Sequence, residues 1–456
     1  MRKDKDSLGY VEVPNNSLYG PESRRAFLNF PYHIAMDKKI IKNLIIVKKA
    51  YVKAFNDFNK IDQKIAYAII KACDSLLENF PEKEFILAFI QAGAGTSTNM
   101  NTNEVIANKA LEILGYNYGE YNYISPHNHV NIGQSSNDVF PGAMKITFVE
   151  EIKSLMPIID NLIYALNALS TKYEKTVKIG RTHLQDASPI TFGLEFRAYS
   201  TDIKKHKKDL EYIMEKFKIL NFGGSAVGTG VNIPREILQK VYQYLNEEYK
   251  DAYSMAPDFV SEEMFPTDFN NLAEWFSSFS NTLIKISRDL RLMSSGPVGG
   301  FYDITLPAVQ PGSSIMPGKV NPSILEAITM AAFYIKGMAY IVDYSTSNGE
   351  MEINIFTPMI YHSIMESFKT LETSINILID KALNGLVVNE KHVKEVLYKS
   401  PGVALVLNPY IGYEKTAEIV KESLEKEIPI ITLLKEKKIL PDDLIDKIFS
   451  SIDLGK

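Results

Sequence analysis

Apolar positions recur in alternating steps of four and three along two long stretches of the chain. From Phe148 the series runs Ile152, Leu155, Ile159, Leu162, Leu166 and Leu169, and a second runs Leu272, Phe276, Phe279, Leu283, Ile286, Leu290 and Met293. Spacing sustained over so many turns predicts long helices packed at shallow angles, as in bundles. Pro157 interrupts the first series and predicts a kink there or the start of a new helical segment. Residues 38–80 predict two further helices, and 414–424 and 442–449 predict two short ones. Few stretches alternate with the period of two that strands require, so the expected fold is mainly α. Proline and glycine gather at 223–234, 296–322 and 400–412, which predicts loops between the helices.

Apolar faces this extensive are hard to cover within one chain and predict association with further copies. Residues 324–342 approach the length of a membrane span, but Glu326 and Lys336 interrupt them. Charges in a span are costly, so this segment is expected in a helical bundle and no membrane partner is predicted. With 456 residues, two or three domains are expected, and 45% hydrophobic with 23% charged residues is ordinary for a globular protein. The formal charge of -5 leaves no broad basic footprint for nucleic acid. Any anionic substrate must therefore be held by local donors.

The single cysteine, Cys73, excludes an internal disulfide and falls among Ile69, Ile70, Leu76 and Leu77, where a small buried hydrophobe is expected. The charged opening Met-Arg-Lys-Asp-Lys-Asp-Ser does not suit a secretory signal, and a cytoplasmic setting is expected. The seven histidines are scattered, with His127 and His129 the one close pair. Without a ligand cluster, catalysis is expected to need no metal and no cofactor.

Four glycine-flanked polar runs interrupt the apolar pattern. They are Gly93-Ala94-Gly95-Thr96-Ser97-Thr98-Asn99-Met100-Asn101-Thr102-Asn103-Glu104; His129-Val130-Asn131 with Gln134-Ser135-Ser136-Asn137-Asp138; Gly180-Arg181-Thr182-His183-Leu184-Gln185-Asp186-Ala187; and Gly312-Ser313-Ser314-Ile315-Met316-Pro317-Gly318-Lys319-Val320-Asn321-Pro322. Any one of them alone could be helix caps and turns, because Ser, Thr and Asn satisfy free backbone donors. Together they suggest loops converging at bundle ends, with neutral donors and one lysine suited to a small dicarboxylate. The fourth run superficially matches a phosphate loop. Five residues rather than four precede Gly318-Lys319, however, and Val320 stands where a metal-binding hydroxyl is required.

These four runs, with Tyr19-Gly20, Arg25-Ala26 and Asn29-Phe30 at one end and Leu407-Asn408-Pro409-Tyr410-Ile411-Gly412 at the other, resemble the fumarase/aspartase superfamily across most of the chain. The resemblance implies three domains, 1–138, 139–391 and 392–456, the central one a long helical bundle. It also implies a homotetramer whose active sites are shared between subunits. The implied reaction is β-elimination releasing fumarate: a proton leaves the carbon beside one carboxylate while an amine or hydroxyl leaves the adjacent carbon. Proton removal creates an aci-carboxylate dianion, which preorganised donors stabilise.

The superfamily pattern assigns the base to Ser313, on a loop that closes over substrate, with Lys319 and Asn321 as candidates to stabilise the dianion. A serine hydroxyl must be activated for this task, and a lysine with clustered amides favours the charged form. Thr96, Ser135, Ser136, Asn137 and Thr182 match positions that hold the carboxylates and the leaving group; Ser314 and Met316 join them from the signature loop. His183 matches a position that pairs with the glutamate five residues after the signature asparagine, here Glu326. A carboxylate beside an imidazole fixes its tautomer and supports proton handling.

The substrate is expected to be L-aspartate. Ala94, Thr102 and Leu184 look like aspartase, whereas Ser136, Glu326-Ala327 with Thr329-Met330, and Gly412-Tyr413 with Lys415 look like fumarase. Ala94 weighs most, because it removes a hydroxyl from the first substrate loop and one pocket hydroxyl strongly alters specificity. Fumarate hydratase is the alternative. Val298 replaces a usual arginine, Ala88 a common aspartate, and Pro21-Glu22-Ser23-Arg24 is an unusual N-terminal version, which would suit a substituted aspartate. A fold kept as a non-catalytic structural or binding protein would have lost Ser313, Lys319, Asn321 or His183, and all four are present.

Overall fold

The computed structural model describes residues 1–450; the end of the expected 392–456 segment, residues 451–456, lies outside the described residues. The chain is mainly helical, at 63%. It opens with a hairpin of β1 (Arg2–Asp6) and β2 (Gly9–Val13), then α1 (Pro21–Asn29), α2 (Lys38–Asp57), α3 (Gln63–Glu78) and α4 (Thr96–Leu114). The long α5 (Ser136–Lys172) leads to an antiparallel hairpin of β3 (Val177–Thr182) and β4 (Gln185–Thr191). There follow α6 (Phe192–Phe217), α7 (Arg235–Tyr249), α8 (Phe259–Met264), α9 (Thr267–Met293), α10 (Ser323–Thr346), α11 (Thr357–Leu378) and α12 (Glu390–Lys399), and then shorter helices to Ser450.

By internal packing the chain forms two compact units. The first comprises Met1–Leu155, Lys208–Ser278 and Tyr334–Thr370; the second comprises Met156–Lys207, Phe279–Phe333 and Leu371–Lys456. In the first unit, aromatic rings fill the core: Phe148 meets Phe217, Phe269, Tyr361 and Phe368 at centroid separations of 5.6–6.3 Å. In the second, Ile179 of β3 packs with Leu397, Leu407, Ile419, Leu434 and Ile445, so the hairpin is seated on the C-terminal helices.

The two apolar series lie on α5 and α9, and every residue named in them is buried. Pro157 does not begin a new helix, contrary to one of the two sequence expectations; α5 runs through it from Ser136 to Lys172. Proline there removes one backbone donor, a cost of about 3 kcal/mol. Ile152, Leu155, Ile159 and Leu162 on either side are at most 3% exposed, and their burial outweighs that loss. Cys73 is fully buried, and burial pushes its thiol up to about 12, so it is inert.

α10 combines a mean hydropathy of 1.4 over its most apolar window with only 28% burial there. By length and composition it could cross a membrane. Met330, Phe333, Tyr340 and Tyr344 are each about 60–70% exposed, an apolar face that this chain leaves uncovered.

Candidate active site

The first two polar runs sit in the first unit, at the N-termini of α4 and α5. Gly93, Ala94 and Gly95 all have positive φ, at 75°, 51° and 86°. Gly95 is required twice over: it is left-handed, and a Cβ there would lie 2.5 Å from the Phe140 ring. The turn delivers Thr96 to the exposed first position of α4, where its hydroxyl and backbone N–H both donate to Gly93 O. Ser136 opens α5, and its Oγ accepts from Asn99 Nδ2 at 2.9 Å. Two helix N-termini thus meet, and their positive dipole ends suit a carboxylate. Ser135 Oγ accepts from the Asn137 N–H at 3.3 Å, and Asn137 Nδ2 donates to Ala226 O at 2.7 Å.

Beneath this surface lie charged groups, of which Lys48 was not singled out in the sequence. Lys48 of α2 is fully buried, and its Nζ donates to Asn99 Oδ1 at 2.6 Å and Gln134 Oε1 at 3.2 Å. Burial pulls its ammonium down to about 7, with the charge of Asp138 opposing. Asp138 accepts from the N–H groups of Ser135, Gly223 and Ser225, yet its burial pushes it up to about 7. Glu104 of α4 accepts from the N–H groups of Gly20, Glu22 and Ser23 and from Ser23 Oγ, holding the start of α1 against the first motif. Ser23, within the unusual N-terminal version, is therefore part of that anchor.

The other two runs sit in the second unit. β3 and β4 are joined through His183 and Leu184, both with positive φ, 55° and 60°, as a tight two-residue hairpin turn demands. Neither is the Asn or Gly that such turns favour. Thr182, His183 and Leu184 are exposed at the tip. Arg181, just before them, is anchored by Asp303, and Ser400 Oγ donates to Asp186 Oδ2 at 2.6 Å on the returning strand.

Ser313 Oγ accepts from the backbone N–H groups of Ile315 and Met316, at 3.2 and 3.1 Å. Donors aimed at that oxygen favour its anionic form. The loop's base is closed by Gly312 N–H to Lys319 O and by Asn321 Nδ2 to Gly312 O, both 2.8 Å. Asn321 thus braces the loop in this conformation. Ser314, Met316 and Lys319 are exposed on the loop.

Lys319, Asn321 and Glu326 share the wall of a cavity of about 890 Å³ with Leu184, Arg288 and Arg291. The two arginines of α9 were not singled out in sequence, where they merge with an ordinary polar helix face; with Lys319 they make the cavity cationic and suited to a dianion. Glu326 lies 3.7 Å from Arg291 Nη2. Among the described residues His183 makes no hydrogen bond, so the expected His183–Glu326 pair is not formed within the chain. No group of three or more His, Cys, Asp or Glu among the described residues is arranged to hold a metal.

Residues 9–337 match the family described as Lyase, and 405–454 match Fumarase C C-terminus. The chain is 37% identical to an aspartate ammonia-lyase of Helicobacter pylori, covering 98% of this chain and 97% of that protein. It is 36% identical to a class II fumarate hydratase of the same organism, again covering 98% and 97%. A crystal structure of fumarate lyase:delta crystallin from Brucella melitensis bound to cobalt superposes with a TM-score of 0.95 at 33% identity, covering 98% of each chain.

Proposed function

The chain belongs to the fumarase/aspartase family of lyases, and from that premise we propose that it is an aspartate ammonia-lyase, converting L-aspartate to fumarate and ammonia. The observation that carries the choice of substrate is Ala94. It is 3% exposed and held between two glycines immediately before Thr96. A methyl at that place removes a hydroxyl from the first substrate loop, and one pocket hydroxyl strongly alters specificity.

In this reading Ser313 takes the proton from the carbon beside one carboxylate. The N–H groups of Ile315 and Met316 stabilise its oxyanion, and Lys319 stabilises the dianion formed. The electron pair left by the C–H bond becomes the C=C bond as C–N breaks and ammonia departs. Thr96, Ser135, Ser136 and Asn137 hold one end of the substrate, and Thr182 the other.

The uncovered face of α10 and the unpaired His183 support a homotetramer in which one copy completes another's site, with His183 meeting Glu326 of a second copy. Incubating the purified protein separately with L-aspartate and L-malate, while following fumarate absorbance, tests the proposal. Turnover of aspartate alone supports it, turnover of malate alone makes the protein a fumarate hydratase, and silence with both directs attention to substituted aspartates.

A further inference from the structure

One acid beside the first two motifs has no place in that mechanism. Glu263 of α8 is 6% exposed, and neither Oε1 nor Oε2 makes a hydrogen bond of good geometry, although the Gly228 N–H lies near enough to favour its charged form. Its neighbour Glu262 is held by Lys145 Nζ at 2.6 Å, so the nearby cation is already engaged. Burial, and then the charge of Asp138, push Glu263 up to about 8, with the Gly228 N–H acting in the other direction. A carboxyl group withdrawn from water without partners is costly, and native interiors rarely keep one in that condition. Room has been left for it: a Cβ on Gly224 would lie 2.4 Å from Oε1.

Glu263 lines a cavity of about 20 Å³, enough for a single water-sized guest. Thr357, also 6% exposed and with its Oγ1 buried and unpartnered, lines it too, as do Ala94 and Asn137. Asn137 spends its Nδ2 on Ala226 O, which leaves Oδ1 to accept. Asn354, on the same wall, is already satisfied at both ends by Phe356 N–H, Ser345 O and Thr346 O. The residues around it bring together a carboxyl group, a hydroxyl and an amide oxygen.

That set repels anions. It is too small and too weakly charged for Ca²⁺ or Mg²⁺, which take about six or more oxygen ligands. Water offers two donors and no charge. Ammonium has the size of water, four donors, no acceptor and one positive charge.

We propose that Glu263, Thr357 and Asn137 form a binding site for the ammonium ion beside the first substrate loop. Its role in turnover rests on the ammonia-lyase reading: it receives the departing ammonia and supplies it in the reverse reaction. Ammonia entering beside protonated Glu263 takes that proton, so a neutral acid and a neutral amine become a carboxylate–ammonium pair with no change in total charge.

Thermal melts of the intact protein without substrate test the site. Ammonium chloride is compared with sodium chloride and tetramethylammonium chloride at matched ionic strength, for wild type, Glu263→Gln and Thr357→Val. The expected result is a saturable rise in Tm with ammonium alone, abolished by Glu263→Gln and reduced by Thr357→Val. Calorimetric titration of the wild type with ammonium chloride gives the same answer without a variant that must fold. Equal shifts with all three salts, an undiminished shift in Glu263→Gln, or no heat and no shift, as a resident water would give, overturns the proposal. An ammonium-specific shift in a protein that turns over only malate keeps the site and removes the ammonia-lyase reading, so the two failures are distinguishable.

Discussion

Arg181 grips Asp303 with both prongs of its guanidinium, Nη1 to Oδ2 at 2.5 Å and Nη2 to Oδ1 at 3.2 Å, one residue before the exposed hairpin tip that starts at Thr182. Asp303 is 1% exposed, and the guanidinium also lies over the Phe301 ring at 4.3 Å. The pair fixes the β3–β4 hairpin against the segment that precedes the Ser313 loop. Asp303→Asn leaves the half-buried arginine without its counter-charge. Removing one partner of such a pair costs about 3–5 kcal/mol. Denaturant unfolding of the variant should show a loss of that size, with a fall in fumarate production as Thr182 loses its position; a loss below about 1 kcal/mol, as for an exposed pair, would falsify the assignment.

His183 and Leu184 hold left-handed backbone that L residues with side chains disfavour by about 1–2 kcal/mol each. A strained turn kept without Asn or Gly points to a side chain retained for its chemistry. His183→Asn should therefore raise stability by about 0.5–1 kcal/mol while lowering turnover at least tenfold, on the scale of a lost proton handler. Chemical denaturation and fumarate absorbance on the same preparation check both. A variant that is more stable and equally active would reduce His183 to a turn residue.

Lys48 ties proton binding to folding. Its folded value is about 7 against 10.5 for the free group, so between these limits the unfolded chain binds a proton that the folded chain does not. Stability contributed by this site therefore falls as pH drops from about 10.5 to 7, by at most about 1.4 kcal/mol per unit, and is level below 7. Lys48→Met removes that slope along with the bonds to Asn99 and Gln134. Unfolding free energies across this pH range should diverge between wild type and variant toward alkaline pH, the wild type gaining. Parallel curves would show that Lys48 stays charged in the fold.

The long helices were legible because their apolar stripes are self-contained: the series on α5 and α9 each bury one continuous face. Pro157 does not start a new helix because a local breaking signal is set against packing that no local window contains. The β3–β4 hairpin was invisible for a related reason. The turn positions His183 and Leu184 are not the residues that two-residue hairpins favour, and the flanking strands are tied to Asp303 and Ser400, distant in sequence. Residues of the four polar runs were recognisable by type and order, whereas Lys48 and Glu263 read as ordinary charges on helix faces. Their burial depends on which elements cover them, and Lys48 belongs to an apolar stretch whose partners, Asn99 and Gln134, lie more than fifty positions away.

Ser313 offers the most direct separation of chemistry from structure. Ser313→Ala removes the acceptor of the Ile315 and Met316 N–H groups, but both bonds are exposed and water replaces the oxygen. The stability loss should therefore stay within about 1 kcal/mol. The loop's base remains closed, because Gly312 N–H to Lys319 O and Asn321 to Gly312 O do not involve the hydroxyl. If Ser313 is the base, kcat falls by about 10²–10⁴ while KM changes little. A purely binding serine gives the opposite split, a raised KM with kcat retained. Steady-state kinetics with L-aspartate, alongside a melting curve and a sizing column, therefore separates a proton-transfer role from carboxylate contact and from collapse of the loop.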